Sequence, residues 1–450
     1  MAKKSLVKGA LILSVAGIIC RLLGVLFRIP LSNIVGNYGI GLYQLIFPLY
    51  SLLLIISSAG IPIALSKMIA RVRDDRQQTK QIFVNALVTL MILGAVITLM
   101  FLVLARPIAL WQGKPEIWPL YLAIAPAVWF VCVISALRGY FQGLNQMAPT
   151  AVSQIVEQAV KVVVGLGLAF WLIRYSILWA VCGAILAVAV SELVALVVLL
   201  IMYWVQTRQR HSENNPVQPK PKKLLSWHVI RQIFRISAPI MVMSLAFPTV
   251  QLFDSFYLVN ALTRNGVAQA TELYGIATGA VHTLINLPSV VGIAIATVML
   301  PMVARSFQQG DKQALHKKIW LTLGFTAVYG TVVAVGLCLL PKLILTVLYR
   351  RAFANRPEEL SIAILLLRIE SWAVILIGLT QVIGSILQGV DYERVPMWAL
   401  ICGGGVKIIF EIVAVKPLGI MAVSIANLLC FGVALMVSGS VLIKLLMQRK

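Results

Sequence analysis

Gly60-Ile61-Pro62-Ile63-Ala64, followed by Ala70-Arg71, returns as Gly292-Ile293-Ala294-Ile295-Ala296, followed by Ala304-Arg305. Each copy lies inside an apolar run and follows a Gly/Tyr signature, Gly41-Leu42-Tyr43 ahead of the first and Leu273-Tyr274-Gly275 ahead of the second. Further along, Phe141-Gln142-Gly143 with Pro149 and Lys161 answers Leu387-Gln388-Gly389 with Pro396 and Lys407. In both copies 19 residues separate Gln from Lys (142 to 161, 388 to 407). One such coincidence means little; an ordered series at a nearly constant offset reads as a duplicated chain.

The solvent of that duplicated chain is lipid. Of 450 residues, 60% are hydrophobic and only 12% charged, too little polar surface to cover a water-soluble globule of this size. A helical span takes about 20 apolar residues, and such runs recur near residues 6–29, 40–66, 82–105, 117–140, 149–172, 177–204, 229–258, 273–304, 319–348, 360–388, 395–415 and 418–445. The expected fold is therefore an all-α polytopic membrane protein of about 12 transmembrane helices in two pseudo-symmetric six-helix lobes. The N-lobe covers 1–205, a cytoplasmic linker 206–227 and the C-lobe 228–450. An even number of spans per half gives the repeats the same orientation, related by an axis along the membrane normal. Leu224 to Phe234 mixes apolar residues with His228 and Arg231, which suits either a stretch lying along the headgroups or an ordinary basic linker.

The net charge of +23 does not mark a nucleic-acid binder, because Lys and Arg collect at alternate ends of the spans: Arg71, Arg73, Arg76 and Lys80, then Arg208, Arg210, Lys220, Lys222 and Lys223, then Arg305, Lys312, Lys317 and Lys318. This positive-inside pattern puts both termini in the cytoplasm. The exception is Lys342 to Arg356, where Arg350, Arg351 and Arg356 fall on the outer side; either that loop has a job or the neighbouring spans are misplaced. The first apolar run follows Lys8 without an A-x-A-like site and reads as the first span. The six cysteines stand singly in apolar stretches, without C-x-x-C or metal spacing, as small core residues. Gly403-Gly404-Gly405 lies inside a span with no Gly-Lys-Ser/Thr after it, so it suits close helix packing rather than a phosphate loop. No catalytic motif, metal set or cofactor site emerges, and an enzyme is the least expected class.

Two parallel halves around a midplane cavity make a transporter plan, and ionisable residues within spans become its candidate sites. Arg21 and Arg28 are two helical turns apart on nearly one face of the first span, and a guanidinium fork suits phosphate oxygens. Glu157 and Lys161 on the fifth span, and Lys407 and Glu411 on the eleventh, are each spaced for an intrahelical ion pair. They either stabilise their own helices or face the cavity and change partners as the halves rock. Asp254 stands nearly alone on a seventh span interrupted by Pro239 and Pro248, where it could receive a cation or proton or bond a neighbouring helix. Arg368 and Glu370 in the tenth span point to different faces and rank lower.

The segments Arg21-Leu22-Leu23-Gly24-Val25-Leu26-Phe27-Arg28, Gly39-Ile40-Gly41-Leu42-Tyr43-Gln44, Phe47-Pro48-Leu49-Tyr50-Ser51 and Ala59-Gly60-Ile61-Pro62-Ile63-Ala64-Leu65-Ser66-Lys67 resemble the polysaccharide-biosynthesis exporters that include stage V sporulation protein B. The resemblance continues through Arg138-Gly139-Tyr140-Phe141-Gln142-Gly143 and Leu300-Pro301 to Gln388-Gly389. This group belongs to the multidrug/oligosaccharidyl-lipid/polysaccharide (MOP) superfamily, with the lipid II flippases and the MATE antiporters. The resemblance implies a V-shaped transporter of the bacterial cytoplasmic membrane that alternates between inward-open and outward-open states. The implied cargo is an undecaprenyl-pyrophosphate-linked saccharide, with membrane lipids around it, no nucleic acid, cell-wall synthases as partners and a monomeric state. A cation site from the seventh and eleventh spans would fall on Asp254, Lys407 and Glu411, leaving Na+, H+ or the membrane potential as the driving force. Where lipid II flippases carry an arginine in the eighth span, this chain has His282-Thr283. A MATE-like drug antiporter and a non-transporting scaffold of an envelope synthesis complex are the competing readings.

Overall fold

A computed structural model of the chain describes residues 2–56, 60–212, 226–309, 312–390 and 392–447, and every regular element among them is helical. The first half holds α1 (Ala2–Leu54), α2 (Ile61–Arg71), α3 (Arg76–Trp111), α4 (Trp118–Gly143), α5 (Ala148–Leu172) and α6 (Ile177–Ser212). The second holds α7 (Trp227–Arg264), α8 (Ala270–Gly275), a π-helical turn at Ile276–Val281, α9 (His282–Gln308), α10 (Lys312–Leu339) and α11 (Pro341–Leu348). It ends with α12 (Pro357–Glu370), α13 (Ala373–Gly389), α14 (Arg394–Leu418) and α15 (Met421–Met447).

Ten described helices are long and apolar enough to cross a membrane, and the bent pair Trp227–Val242 and Ser244–Arg264, at 52°, makes an eleventh. The first of the ten carries two of the expected spans. As one rod, the 53 residues of α1 would measure about 80 Å at ~1.5 Å each, more than twice the ~30 Å hydrocarbon core. Gly36 divides them with φ 69° and ψ −177°, a backbone conformation open essentially to glycine alone. Val103 (75% exposed), Val163 (73%) and Leu321 (72%) show that the outer surface is apolar, as lipid requires.

Several span limits differ from those read in the sequence. The ninth ends at Leu339, because Pro341 lacks an N–H to continue the helix and instead opens the separate helix α11. The tenth runs from Pro357 to Gly389, with a two-residue turn at Ser371 and Trp372 that stays in the right-handed helical region. Described residues of Leu224–Phe234 begin α7 at Trp227, and linker residues 213–225 lie outside the described residues.

Two compact units form: Met1–Phe27 with Ile46–Pro248, and Arg28–Leu45 with Thr249–Lys450. They cut the chain differently from the lobe limits 1–205 and 228–450, since residues 28–45 join the second unit and residues 228–248 the first. Asparagine chemistry ties in the 28–45 segment. Asn33 donates to Leu348 O at 2.7 Å and accepts from Arg351 N at 2.9 Å, and Asn37 donates to Glu359 Oε2 at 2.5 Å. Glycine provides the close approach: a Cβ on Gly41 would sit 2.2 Å from Thr271 O, and one on Gly275 2.2 Å from Asn37 O. The paired Gly/Tyr signatures of the two halves thus pack backbone to backbone.

The other repeated motifs keep their packing partner in each unit. In the first, Gly60-Ile61-Pro62-Ile63-Ala64 opens α2, which lies on α4, the helix ending in Gln142-Gly143; Ile61, Leu65 and Ile69 share a core with Leu137 and Phe141. In the second, Gly292–Ala296 lies on α9 against α13, the helix ending in Gln388-Gly389. Ser385 there donates to Ala296 O at 2.5 Å, and Met299 and Val303 pack with Val382 and Ile386. Duplication has preserved contacts, not only residues.

Candidate functional site

The first unit gathers charge where α4, α5 and α6 meet. Arg138 on α4 places Nη2 2.9 Å from Glu157 Oε2, and its Nε donates to Ser153 Oγ at 3.1 Å. Gln158 Nε2 donates to the other Glu157 oxygen at 2.8 Å. Beside Lys161, four residues on along α5, the planar fork of Arg138 reaches across from α4 to the Glu157 carboxylate. Lys161 Nζ stands 5.9 Å from the Phe27 ring centroid. Glu192 on α6 is buried, within the electrostatic reach of Glu157, Arg138 and Lys161. Two acids and two bases gather here. Arg138 and Glu192 were missed as site residues: Arg138 stood out only as part of a family motif, and Glu192 is one polar residue in a long apolar run.

The second unit encloses a smaller set. Lys407 Nζ on α14 lies 2.5 Å from Asp254 Oδ2 on α7 and 3.7 Å from Glu411 Oε1 one turn on. The three side chains are 6%, 7% and 0% exposed. Asp254 Oδ1 and both Glu411 oxygens have no hydrogen-bond partner among the described residues. The glycine run makes this contact: a Cβ on Gly404 would meet Val250 Cγ2 at 2.5 Å, and one on Gly403 would meet Cys430 O at 2.3 Å. Without side chains at these positions α14 approaches α7 and α15 closely, and Asp254, one turn after Val250, comes within reach of Lys407. Two carboxylates face one ammonium, so the set carries a negative excess when all three are ionised.

The first-span arginines are not brought to either cluster. Arg21 belongs to the first unit and is exposed; Arg28 belongs to the second and is half-buried near Tyr43 and Tyr349. Neither has an acid partner among the described residues. The basic stretch Lys342 to Arg356 has a structural job: its backbone receives Asn33, and Arg356 Nη1 lies 3.0 Å from Glu359 Oε1. Of the cysteines, Cys132 and Cys430 are buried core residues, whereas Cys402 is exposed. Its place on the apolar outer surface of α14 suits a small residue as well as the core does. No group of three or more His, Cys, Asp or Glu side chains among the described residues could hold a metal ion.

Residues 6–307 match the family model of polysaccharide biosynthesis proteins. Among curated relatives, stage V sporulation protein B of Bacillus subtilis (strain 168) is 28% identical over 454 residues, covering 99% of this chain and 83% of the relative. The lipid II flippase MurJ of the same organism is 27% identical over 455 residues, covering 98% and 82%. Among solved structures, an inward-facing MATE-family multidrug transporter of the MOP superfamily superimposes with a TM-score of 0.75 at 16% identity, over 95% of this chain and 96% of the other. A MOP-superfamily transporter from Pyrococcus furiosus reaches 0.66 at 16% identity, over 98% and 96%. The fold is that of MOP transporters.

Proposed function

The chain belongs to the polysaccharide biosynthesis protein family, whose relatives here are flippases and transporters of the MOP superfamily, and from that membership we propose the cargo and the residues that move it. The cargo is an undecaprenyl-pyrophosphate-linked saccharide, a precursor of cell wall, spore cortex or surface polysaccharide. It crosses the bacterial cytoplasmic membrane outward by alternating access, with both protein termini in the cytoplasm. The observation that carries this reading is the pair of unpartnered guanidiniums: Arg138 and Lys407 are committed to carboxylates, whereas Arg21 and Arg28 have no acid partner among the described residues. Arg21 and Arg28 bind the pyrophosphate, since a guanidinium fork matches phosphate oxygens. Glu157 and Lys161, with Arg138, contact the polar headgroup.

Asp254, Lys407 and Glu411 form the coupling site. Their one-acid excess is cancelled when a proton or Na+ enters, and the membrane potential adds to the drive because that charge moves through the field. Protein-linked chemistry has no part: no bond of the cargo is made or broken. Cell-wall synthases are the partners that receive the cargo, and the monomer is the working unit.

Proteoliposomes carrying a labelled lipid-linked oligosaccharide test the assignment. Arg21→Ala with Arg28→Ala should slow translocation by at least about tenfold, since each lost charge-assisted bond costs about 1.5–3 kcal/mol; wild-type rates in the double variant would overturn it. The MATE-like drug antiporter reading is disfavoured by Lys407, which already occupies the acids a cationic drug would need. An unchanged drug-resistance profile on deletion of the gene is the corresponding expectation.

A further inference from the structure

Lys342, Arg350, Arg351 and Arg356 crowd one short stretch of the second unit, against Glu358 and Glu359. Arg356 pairs with Glu359, which Asn37 also holds. The other three cations are exposed and have no ion-pair partner among the described residues. The transport scheme above uses none of them.

They frame α11. From Lys318 to Leu339 the span α10 advances 21 residues (339 − 318), or about 32 Å at ~1.5 Å each, close to the ~30 Å thickness of the hydrocarbon core. With Lys317 and Lys318 at one headgroup layer, α11 therefore begins at the other. One face of α11 is docked on the protein: Pro341 and Leu345, one turn apart, are buried, and Leu348 O accepts from Asn33. The opposite face is free. Leu343 and Val347, also one turn apart, are 57% and 66% exposed, and Leu339 and Leu340 just before them are exposed too. A short helix with a free apolar face and flanking cations suits the membrane interface, where apolar side chains dip among acyl chains while the charged ends stay with the headgroups.

Helix capping does not account for the cations. A positive charge after a helix complements its dipole, which serves for Arg350 or Arg351, but Lys342 stands in the first turn, where the dipole opposes it. Anions from outside the chain would satisfy both ends of α11 at once. A phospholipid headgroup supplies the phosphate that guanidinium and ammonium groups prefer, and its acyl chains supply the apolar surface that Leu343 and Val347 lack.

We propose that α11 is a docking site for anionic phospholipids, their phosphates held by Lys342, Arg350 and Arg351 and their acyl chains lying against Leu343 and Val347. Resting on the orientation proposed above, these lipids belong to the outer leaflet. Asn33 bonds both Leu348 O and Arg351 N, so lipid seated on α11 also steadies residues 28–45 within this unit.

The test uses the full chain without cargo, in phosphatidylcholine vesicles containing phosphatidylglycerol with a photoreactive headgroup; after irradiation the labelled peptides are mapped by mass spectrometry. Peptides spanning 340–356 should carry label, and unlabelled phosphatidylglycerol should compete it away where added phosphatidylcholine does not. Lys342→Gln with Arg350→Gln and Arg351→Gln should lower that labelling by at least about fivefold, the contribution of a single cation near an anionic surface. Unchanged labelling in the triple variant, or equal labelling by a phosphatidylcholine probe, would overturn the proposal. So would stronger competition by undecaprenyl pyrophosphate or inorganic phosphate than by phosphatidylglycerol. Should the variant not fold, the wild type decides: labelling should drop several-fold between about 0.01 and 1 M salt, as the Debye length shrinks from about 30 to 3 Å, and labelling indifferent to salt refutes the site. The label's position is read without cargo and in either leaflet, so a failure here is distinct from a failure of the proposed transport.

Discussion

Lys161 and Lys407 hold matching places in the two halves, each 19 residues after a Gln-Gly signature, yet they live in different surroundings. Lys161 is half-buried beside an aromatic ring, in a set of two acids and two bases. Lys407 is sealed between two carboxylates, each of them buried. A common ancestor gave both halves the lysine, and the neighbouring helices then settled its chemistry. In the first unit α4 brings Arg138 to the acid; in the second, α7 brings another acid to the lysine. The first cluster thus has two acids facing two bases, and the second two acids sharing one base.

That contrast can be broken by stability measurements on purified protein. Lys407→Met should have the largest effect, since it strands Asp254 and Glu411 in the interior; removing one partner of a buried pair costs about 3–5 kcal/mol. Neutralising all three positions as Asp254→Asn, Lys407→Met and Glu411→Gln should recover most of that loss in the same thermal unfolding assay. Arg138→Met should cost less, about 1–3 kcal/mol, because Glu157 keeps its bond from Gln158 and some access to solvent. Lys161→Met should be mildest, about 0.5–1 kcal/mol. If chemical denaturation instead ranks Lys161→Met with Lys407→Met, the two lysines are energetically equivalent and the contrast fails.

Much of this was legible in residue order. Apolar runs of span length announce helices in lipid, and the Gly-Ile-x-Ile-Ala and Gln-Gly pairs announced a duplication that the packing of α2 on α4 and α9 on α13 reproduces. Lys407 and Glu411 stood out because charge within an apolar run is rare. Partners from other helices were not legible. Arg138 and Glu157 are 19 residues apart, and Asp254 and Lys407 are 153 apart, so no periodicity links them. Helical spacing knows only one helix at a time, so it could not bring Arg138 to Glu157. Gly36-Asn37 between apolar runs was a usable turn signal, but nothing local connects Asn37 to Glu359.

The attachment of residues 28–45 to the second unit also has a consequence for how the protein is made. This segment leaves the ribosome early, whereas Leu348, Arg351 and Glu359 are synthesised some 300 residues later. At roughly 5–20 residues per second, Asn33 and Asn37 wait on the order of 15–60 s for the groups that satisfy them. During that interval the Asn33 amide has only Ile29 O of its own helix to meet, and Asn37 lacks Glu359. Newly inserted first spans therefore gain from an insertase or water-filled shelter, and the arrival of α11 and α12 is what releases them from it.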